Sequence, residues 1–195
     1  RENNIPEWFI ESCKKISYLF PRAHAVAYVM MAFRIAWFKV YHPLAFYAAY
    51  FSIRAKAFDL RIMTGDLKTQ MTEFNRIKAL DRAASPKDKD LMSALEVSME
   101  MYQRGYRFVN VDIQHSEARR FSIKDGALLP PFLAIDSLGE TVADAIVAER
   151  EERPFTSLKD LQRRCKVSNT IIDLMKELKC CGELPEDEQM SLFGA

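Results

Sequence analysis

The sequence is poor in the features that mark several common classes of protein. Its four cysteines (13, 165, 180 and 181) have no even spacing and form no CxxC pair, and the three histidines lie far in sequence from the adjacent Cys180 and Cys181. This pattern disfavours a disulfide scaffold and a zinc site and favours a reducing compartment. The apolar runs 25–33 and 43–53 are about half as long as a membrane span requires, which disfavours a transmembrane helix. A first residue other than Met predicts a piece of a longer polypeptide.

Charge is balanced over the whole chain but not along it. The 195 residues are 49% apolar with a net charge of +1, which excludes intrinsic disorder and fits one large domain or two small ones. Residues 1–57 carry eight Lys or Arg against three Asp or Glu, whereas residues 182–195 have a net charge of −4 and no Lys or Arg. The basic N-terminal segment could bind phosphate, and the acidic C-terminal segment is typical of a solvated tail. Both segments also fit an ordinary solvated surface.

Hydrophobic periodicity and capping residues predict a mainly helical protein with one small β element. Predicted helices cover 6–17, 21–41, 43–56, 67–82, 86–104, 140–151, 158–165 and 169–180. We expect Ser85, Ser157 and Ser168 to cap three of them and Gly182 to end the last. Predicted strands cover Phe108–Ile113 and Arg119–Ile123, and Asp125-Gly126 forms a predicted hairpin turn before Ala127–Leu129.

The predicted helix over 22–40 is apolar on almost every side, so we expect it to be buried on most of them. At helical spacing its few polar groups share one narrow stripe, formed by His24, Tyr28, Lys39 and His42 and flanked by Arg34. Such a stripe could present cations to an anion. The alternative is a buried helix whose few polar groups reach solvent at one edge.

A helix-hairpin-helix pattern lies over residues 135–143. A short apolar approach and a tight turn lead into a helix, where unpaired backbone N–H groups can bind a phosphate oxygen. The predicted DNA-binding residues are Ser137, Leu138, Gly139, Glu140 and Thr141. Gly139 would allow close backbone approach and Ala143 close helix packing. A second helical pair over 156–181 strengthens this interpretation, although a purely structural turn would show the same pattern.

The last residues contain a short peptide of the kind that docks into an apolar pocket. Gln189 would supply one polar anchor, with Met190 beside it, and Leu192 and Phe193 two adjacent apolar groups. The acidic stretch before it, residues 183–188, is expected to be solvated and extended. The alternative is a tail that folds back onto the protein's own core.

These segments together resemble a known family. The stretch Phe-Pro-Arg-Ala-His-Ala-Val-Ala-Tyr at 20–28, followed by residues 34–39 and His42-Pro43, resembles the fingers of bacterial C-family replicative DNA polymerases. The Leu-Gly-Glu-x-Val-Ala hairpin and the terminal Gln-x-Ser-Leu-Phe resemble the PolC type of Gram-positive bacteria. Arg22 stands where that family usually has Lys, and Ser137 where it usually has Gly.

The resemblance implies a domain order and a function. It implies the end of the fingers over 1–57, a helical linker with the β element over 58–131, a duplex-DNA-binding helix-hairpin-helix domain over 132–182 and a clamp-binding tail over 183–195. Arg22, His24, Tyr28, Arg34 and Lys39 would lie near the nucleotide or template.

By the same resemblance the complete polypeptide is a cytoplasmic DNA-directed DNA polymerase with a 3′–5′ exonuclease. Its expected partners are duplex DNA, the sliding clamp (beta subunit) and other replisome subunits, and no contact with a membrane is expected. Its Mg²⁺ would be held by palm carboxylates outside this chain, so that these residues hold no metal and no catalytic residue. The alternatives are a free-standing helix-hairpin-helix DNA-binding or repair adaptor and a helical scaffold that binds no nucleic acid.

Overall fold

A computed structural model describes residues 4–16 and 21–187 of the chain. In this part of the chain nine α-helices are accompanied by a single two-stranded sheet, which confirms the mainly helical fold class. The chain divides into two units, residues 1–41 and 42–195, which are described separately.

The first unit holds two helices, α1 (Glu7–Lys14) and α2 (Arg22–Tyr41). The predicted bounds of α2 are confirmed, but the prediction that it is buried is wrong within this chain, because none of its residues is buried. Within residues 4–16 and 21–41, the eight-residue α1 is the one other helix, and it is too short to cover a 20-residue apolar helix. By length and composition alone α2 could cross a membrane, with a mean hydropathy of 1.2. The same composition fits a helix enclosed by other parts of a longer polypeptide.

The second unit begins with a helical part over residues 42–103. It comprises α3 (Pro43–Ala49) with a π-helical turn (Tyr50–Arg54), α4 (Leu60–Met63), α5 (Leu67–Leu80) and α6 (Pro86–Gln103). The cap predicted for α6 is confirmed as a complete capping box, in which Ser85 Oγ accepts from the Asp88 N–H and the Asp88 carboxylate accepts from the Ser85 N–H. A core that includes Tyr47, Leu95 and Met101 joins these helices.

The small β element follows. Strands β1 (Ser122–Lys124) and β2 (Ala127–Leu129) pair antiparallel across Asp125 and Gly126, whose φ angles of 50° and 76° confirm the predicted hairpin turn. The strand predicted over Phe108–Ile113 is wrong apart from one bridge between Phe108 and Leu128, and the strand predicted over Arg119–Ile123 is wrong before Ser122. The backbone past Val109 turns away from the sheet, and the Ile113 N–H donates to the Cys180 carbonyl instead.

The last part of the unit is built from a one-turn 3₁₀ helix (Phe132–Ala134), α7 (Glu140–Glu152), α8 (Leu158–Cys165) and α9 (Asn169–Glu177). Its core contains Val111 and Ile113 as well as side chains from all three α-helices, among them Ala143, Leu161 and Met175. The prediction that Gly182 ends the last helix is wrong. Helix α9 ends at Glu177, and Lys179 with a φ of 55° turns the chain first.

Candidate nucleic-acid interface

The turn before α7 is held by two buried apolar residues. Ile135 and Leu138 are buried, and the Leu138 N–H donates to the Ile135 carbonyl at 3.2 Å. Between them, Ser137 has a φ of 63°, in the left-handed region where glycine is favoured. The backbone geometry therefore explains why glycine suits this position, and Ser137 adopts the same left-handed φ.

The start of α7 leaves three N–H groups of the backbone available. Gly139 is its N-cap residue and supplies no side-chain cap, while its carbonyl accepts from the N–H groups of Val142 and Ala143. Within the described ranges, none of the hydrogen bonds uses the N–H groups of Gly139, Glu140 or Thr141. A Cβ placed on Gly139 would meet no atom within 4 Å, so the backbone there is open to a ligand. This is the arrangement that binds a phosphate oxygen at a helix start.

The turn between α8 and α9 repeats this geometry. Lys166 has a φ of 54°, Val167 is buried, and the N-cap Ser168 has φ −71° and ψ 156°. The corresponding residues of the first turn are Ser137 with a φ of 63°, the buried Leu138, and Gly139 with φ −76° and ψ 156°.

The second turn is a candidate phosphate site that sequence reasoning missed. In the part of the chain that the structure describes, the N–H groups of Asn169 and Thr170 have no acceptor, as at the start of α7. The second helical pair was predicted, but these residues were not, because no Gly marks the turn. The signal that could have identified them is the order of three consecutive residues: one with a left-handed φ (Lys166), a buried apolar one (Val167) and an N-cap (Ser168).

An arginine from outside the hairpins binds two carboxylates at the start of α7. Arg119 binds both oxygens of the Asp144 carboxylate, with 3.1 Å from Nε to Oδ1, and also donates to the Glu140 carboxylate. The hydrogen bonds from Arg119 hold the pKa of Asp144 below its usual value, and those carboxylates raise the pKa of Arg119. One cation therefore binds two of the acidic groups near the candidate phosphate site and lowers their combined charge from −2 to −1.

A buried carboxylate fixes α8 against α7. Asp160 has no exposed side-chain surface and accepts from Arg163 at 2.9 Å and from Arg153 and Arg164 at 3.3 Å. Arg164 also donates to the Glu149 carboxylate and stacks 4.8 Å above the Phe155 ring. Burial alone would raise the pKa of Asp160, but the hydrogen bonds from the arginines and from the Thr156 N–H hold it below its usual value.

Comparison with known proteins agrees with this geometry. The family model of the helix-hairpin-helix motif matches residues 105–189. DNA polymerase III PolC-type of Caldanaerobacter subterraneus subsp. tengcongensis is 48% identical over 193 residues, which cover 99% of this chain and 14% of that protein. DNA polymerase III PolC-type of Streptococcus pyogenes serotype M12 is 48% identical over 196 residues, which cover 99% of this chain and 13% of that protein.

The chain belongs to the PolC-type DNA polymerase III family. It spans 13–14% of the length of the curated relatives that it matches. The similarity covers α1 and α2 as well as the helix-hairpin-helix part, so the two units are parts of one PolC-type sequence.

The polar residues predicted near the nucleotide or template of a PolC-type protein all lie on α2. Arg22, His24, Tyr28 and Arg34 are exposed and Lys39 is half-buried. The rings of His24 and Tyr28 are in contact, with centroids 4.5 Å apart, as their spacing on one helix face predicts. His42, which was predicted to lie on the same polar stripe, lies beyond the end of α2 and is the N-cap residue of α3. Within the described part of the chain, no group of three or more His, Cys, Asp or Glu could hold a metal ion.

The predicted clamp-binding residues Gln189, Met190, Leu192 and Phe193 lie outside the described residues, whereas residues 183–187 of the acidic stretch before them lie within the described part. The N–H groups of Leu158 and Lys159 donate to the carbonyls of Pro185 and Glu186 at 2.9 and 3.2 Å. Lys176 binds the Glu186 carboxylate at 2.7 Å, and Lys159 binds Asp187. The side chains of this stretch are largely exposed, as expected. Through Asp187 the stretch is bound to the protein's own surface, because the first turn of α8 supplies the N–H donors for it.

Proposed function

We propose that this chain is the C-terminal part of a replicative DNA polymerase and that its two helix-hairpin-helix turns bind the backbone of duplex DNA. The observation that carries the proposal is the repeated turn, which presents unpaired N–H groups at the starts of α7 and α9. Backbone N–H groups bind phosphate oxygens without reading bases, so we expect binding without sequence preference.

The charge of the hairpin region predicts weak binding. Residues 132–181 have a net charge of −1, so few cations are available to displace counterions from the DNA. We expect about two or three phosphate contacts and a correspondingly shallow dependence of affinity on salt. High affinity for DNA would then come from the rest of the polypeptide and from other partners.

The activity that we propose for the complete polypeptide is DNA-directed DNA synthesis in the cytoplasm, with a 3′–5′ exonuclease elsewhere in the chain. Mg²⁺ would be held by palm carboxylates that these 195 residues do not include. We therefore expect the purified chain to incorporate no nucleotide with Mg²⁺ present. A free-standing adaptor is disfavoured as the alternative, because such a protein has no use for the fingers-like segment that the PolC-type relatives share.

We also propose that the C-terminal peptide binds the sliding clamp. Gln189 would donate or accept a hydrogen bond in a pocket that buries Leu192 and Phe193, and each buried side chain contributes roughly 1.5–3 kcal/mol. Ordering the peptide opposes this by about 0.5–1.5 kcal/mol per side chain. Each site is weak alone, but two sites on one chain reinforce each other through effective concentration.

The affinity of Gly139 variants for duplex DNA tests the proposed interface. The φ of Gly139 and the open space around it mean that Gly139→Ala and Gly139→Val should both leave the fold intact. Ala adds one methyl group beside the N–H groups, whereas Val covers them, so we expect a graded loss of affinity. Equal affinity of the wild type and both variants at low salt, with unchanged thermal stability, would exclude this turn as the contact.

A further inference from the structure

The start of α7 and the turn before it carry acidic groups that oppose the binding of an anion. Glu140 is the first residue of the helix, and Asp144 lies one turn later on the same face. Asp136, in the turn itself, is also exposed. A phosphate that approaches the N–H groups of Gly139, Glu140 and Thr141 would meet this negative charge.

Glu140 could also compete with phosphate for the same donors. A carboxylate near a helix start is attracted to the unpaired N–H groups, because the partial positive charge of the helix lies there. The Glu140 side chain is 66% exposed, so it has space to adopt other rotamers. In the structure its carboxylate is bound by Arg119 instead.

We propose that Arg119 is a positioning residue for backbone binding at the first hairpin. It uses three guanidinium nitrogens on Asp144 and Glu140, which offsets half of their combined negative charge and holds the Glu140 carboxylate away from the N–H groups that bind phosphate. Arg119 comes from the irregular segment before β1, so this segment contributes to an interface that the hairpins alone do not complete. This inference rests on the proposed function of the hairpins.

Removal of Arg119 tests the inference directly. Arg119→Met keeps the length of the side chain and leaves two unpaired carboxylates at the site. We expect it to lower the affinity of the 195-residue chain for a short duplex about fivefold at low salt, and less at physiological salt, where charges more than about 8 Å apart are screened. Arg120→Met is the matched control, because it removes the same charge one residue away without breaking the contacts with Glu140 and Asp144, and we expect nearly wild-type affinity.

Rescue distinguishes a positioning role from a direct phosphate contact. When Glu140→Gln is added to Arg119→Met, no carboxylate remains at position 140 to compete for the N–H groups. We expect this double variant to bind within about twofold of the wild type. A double variant that stays as weak as Arg119→Met would overturn the inference and would indicate that Arg119 itself binds the phosphate.

Two further outcomes complete the test. Arg119→Met with wild-type affinity would overturn the positioning role while leaving the proposed function intact, provided that Gly139→Val still weakens binding. Absence of duplex binding by the wild-type chain at low salt would overturn the proposed function and the inference with it. Thermal unfolding of each variant separates loss of binding from loss of the fold.

Discussion

Replacement of Asp160 by Asn should destabilise the helix-hairpin-helix part strongly. The variant keeps the volume of the side chain but removes the charge that Arg153, Arg163 and Arg164 share. Breaking a buried ion pair costs about 3–5 kcal/mol. Arg153 and Arg163 are more than half exposed and regain water, so we expect a loss of about 2–3 kcal/mol in the free energy of unfolding.

Urea unfolding measures this loss of stability, and the loss should depend on pH. The pKa of Asp160 is lower in the folded than in the unfolded protein, so its contribution is present above the unfolded pKa near 4 and is lost as the pH falls below it. The difference between wild type and variant should therefore shrink in acid. Asp173→Asn, on the exposed side of α9, is the matched control and should change stability by less than about 0.5 kcal/mol. An equally small effect of Asp160→Asn at neutral pH would refute the role given to this carboxylate.

Two other predictions concern the first turn and the tail. Ser137→Gly should raise the stability by about 0.5 kcal/mol, because the relief of a left-handed φ outweighs the greater entropy of glycine in the unfolded chain, and a lower urea midpoint would contradict this. Changing Leu192 and Phe193 together to Ala should abolish binding to the sliding clamp, measured by surface plasmon resonance, while duplex binding and melting temperature stay unchanged. A fall of several degrees in melting temperature would instead assign the pair to the protein's own core.

Local chemistry was the part of this fold that sequence reasoning could predict. Ser85, Ser157 and Ser168 are caps because each side chain binds a backbone N–H three residues later. Asp125-Gly126 forms its turn because both residues tolerate a positive φ. Such features depend on a few neighbouring residues, so the pattern alone indicates them.

Features that depend on distant partners could not be predicted in this way. The alternating pattern of Phe108–Ile113 is typical of a strand, yet Val111 and Ile113 pack among the hairpin helices instead. The pairing of Arg119 with Asp144 joins residues 25 positions apart, and no periodicity predicts it. Burial of α2 was expected from its composition, but composition does not say whether the covering residues belong to the same stretch of chain.

Backbone amide NMR of the 195-residue chain during titration with a short duplex directly tests whether the two hairpin turns bind the DNA backbone. We expect the largest shifts at the N–H groups of Gly139, Glu140 and Thr141 and at those of Asn169 and Thr170, with the same result for duplexes of unrelated sequence. Shifts concentrated on α5 and α6, with both turns unchanged, would contradict the claim that the paired hairpins hold the DNA backbone.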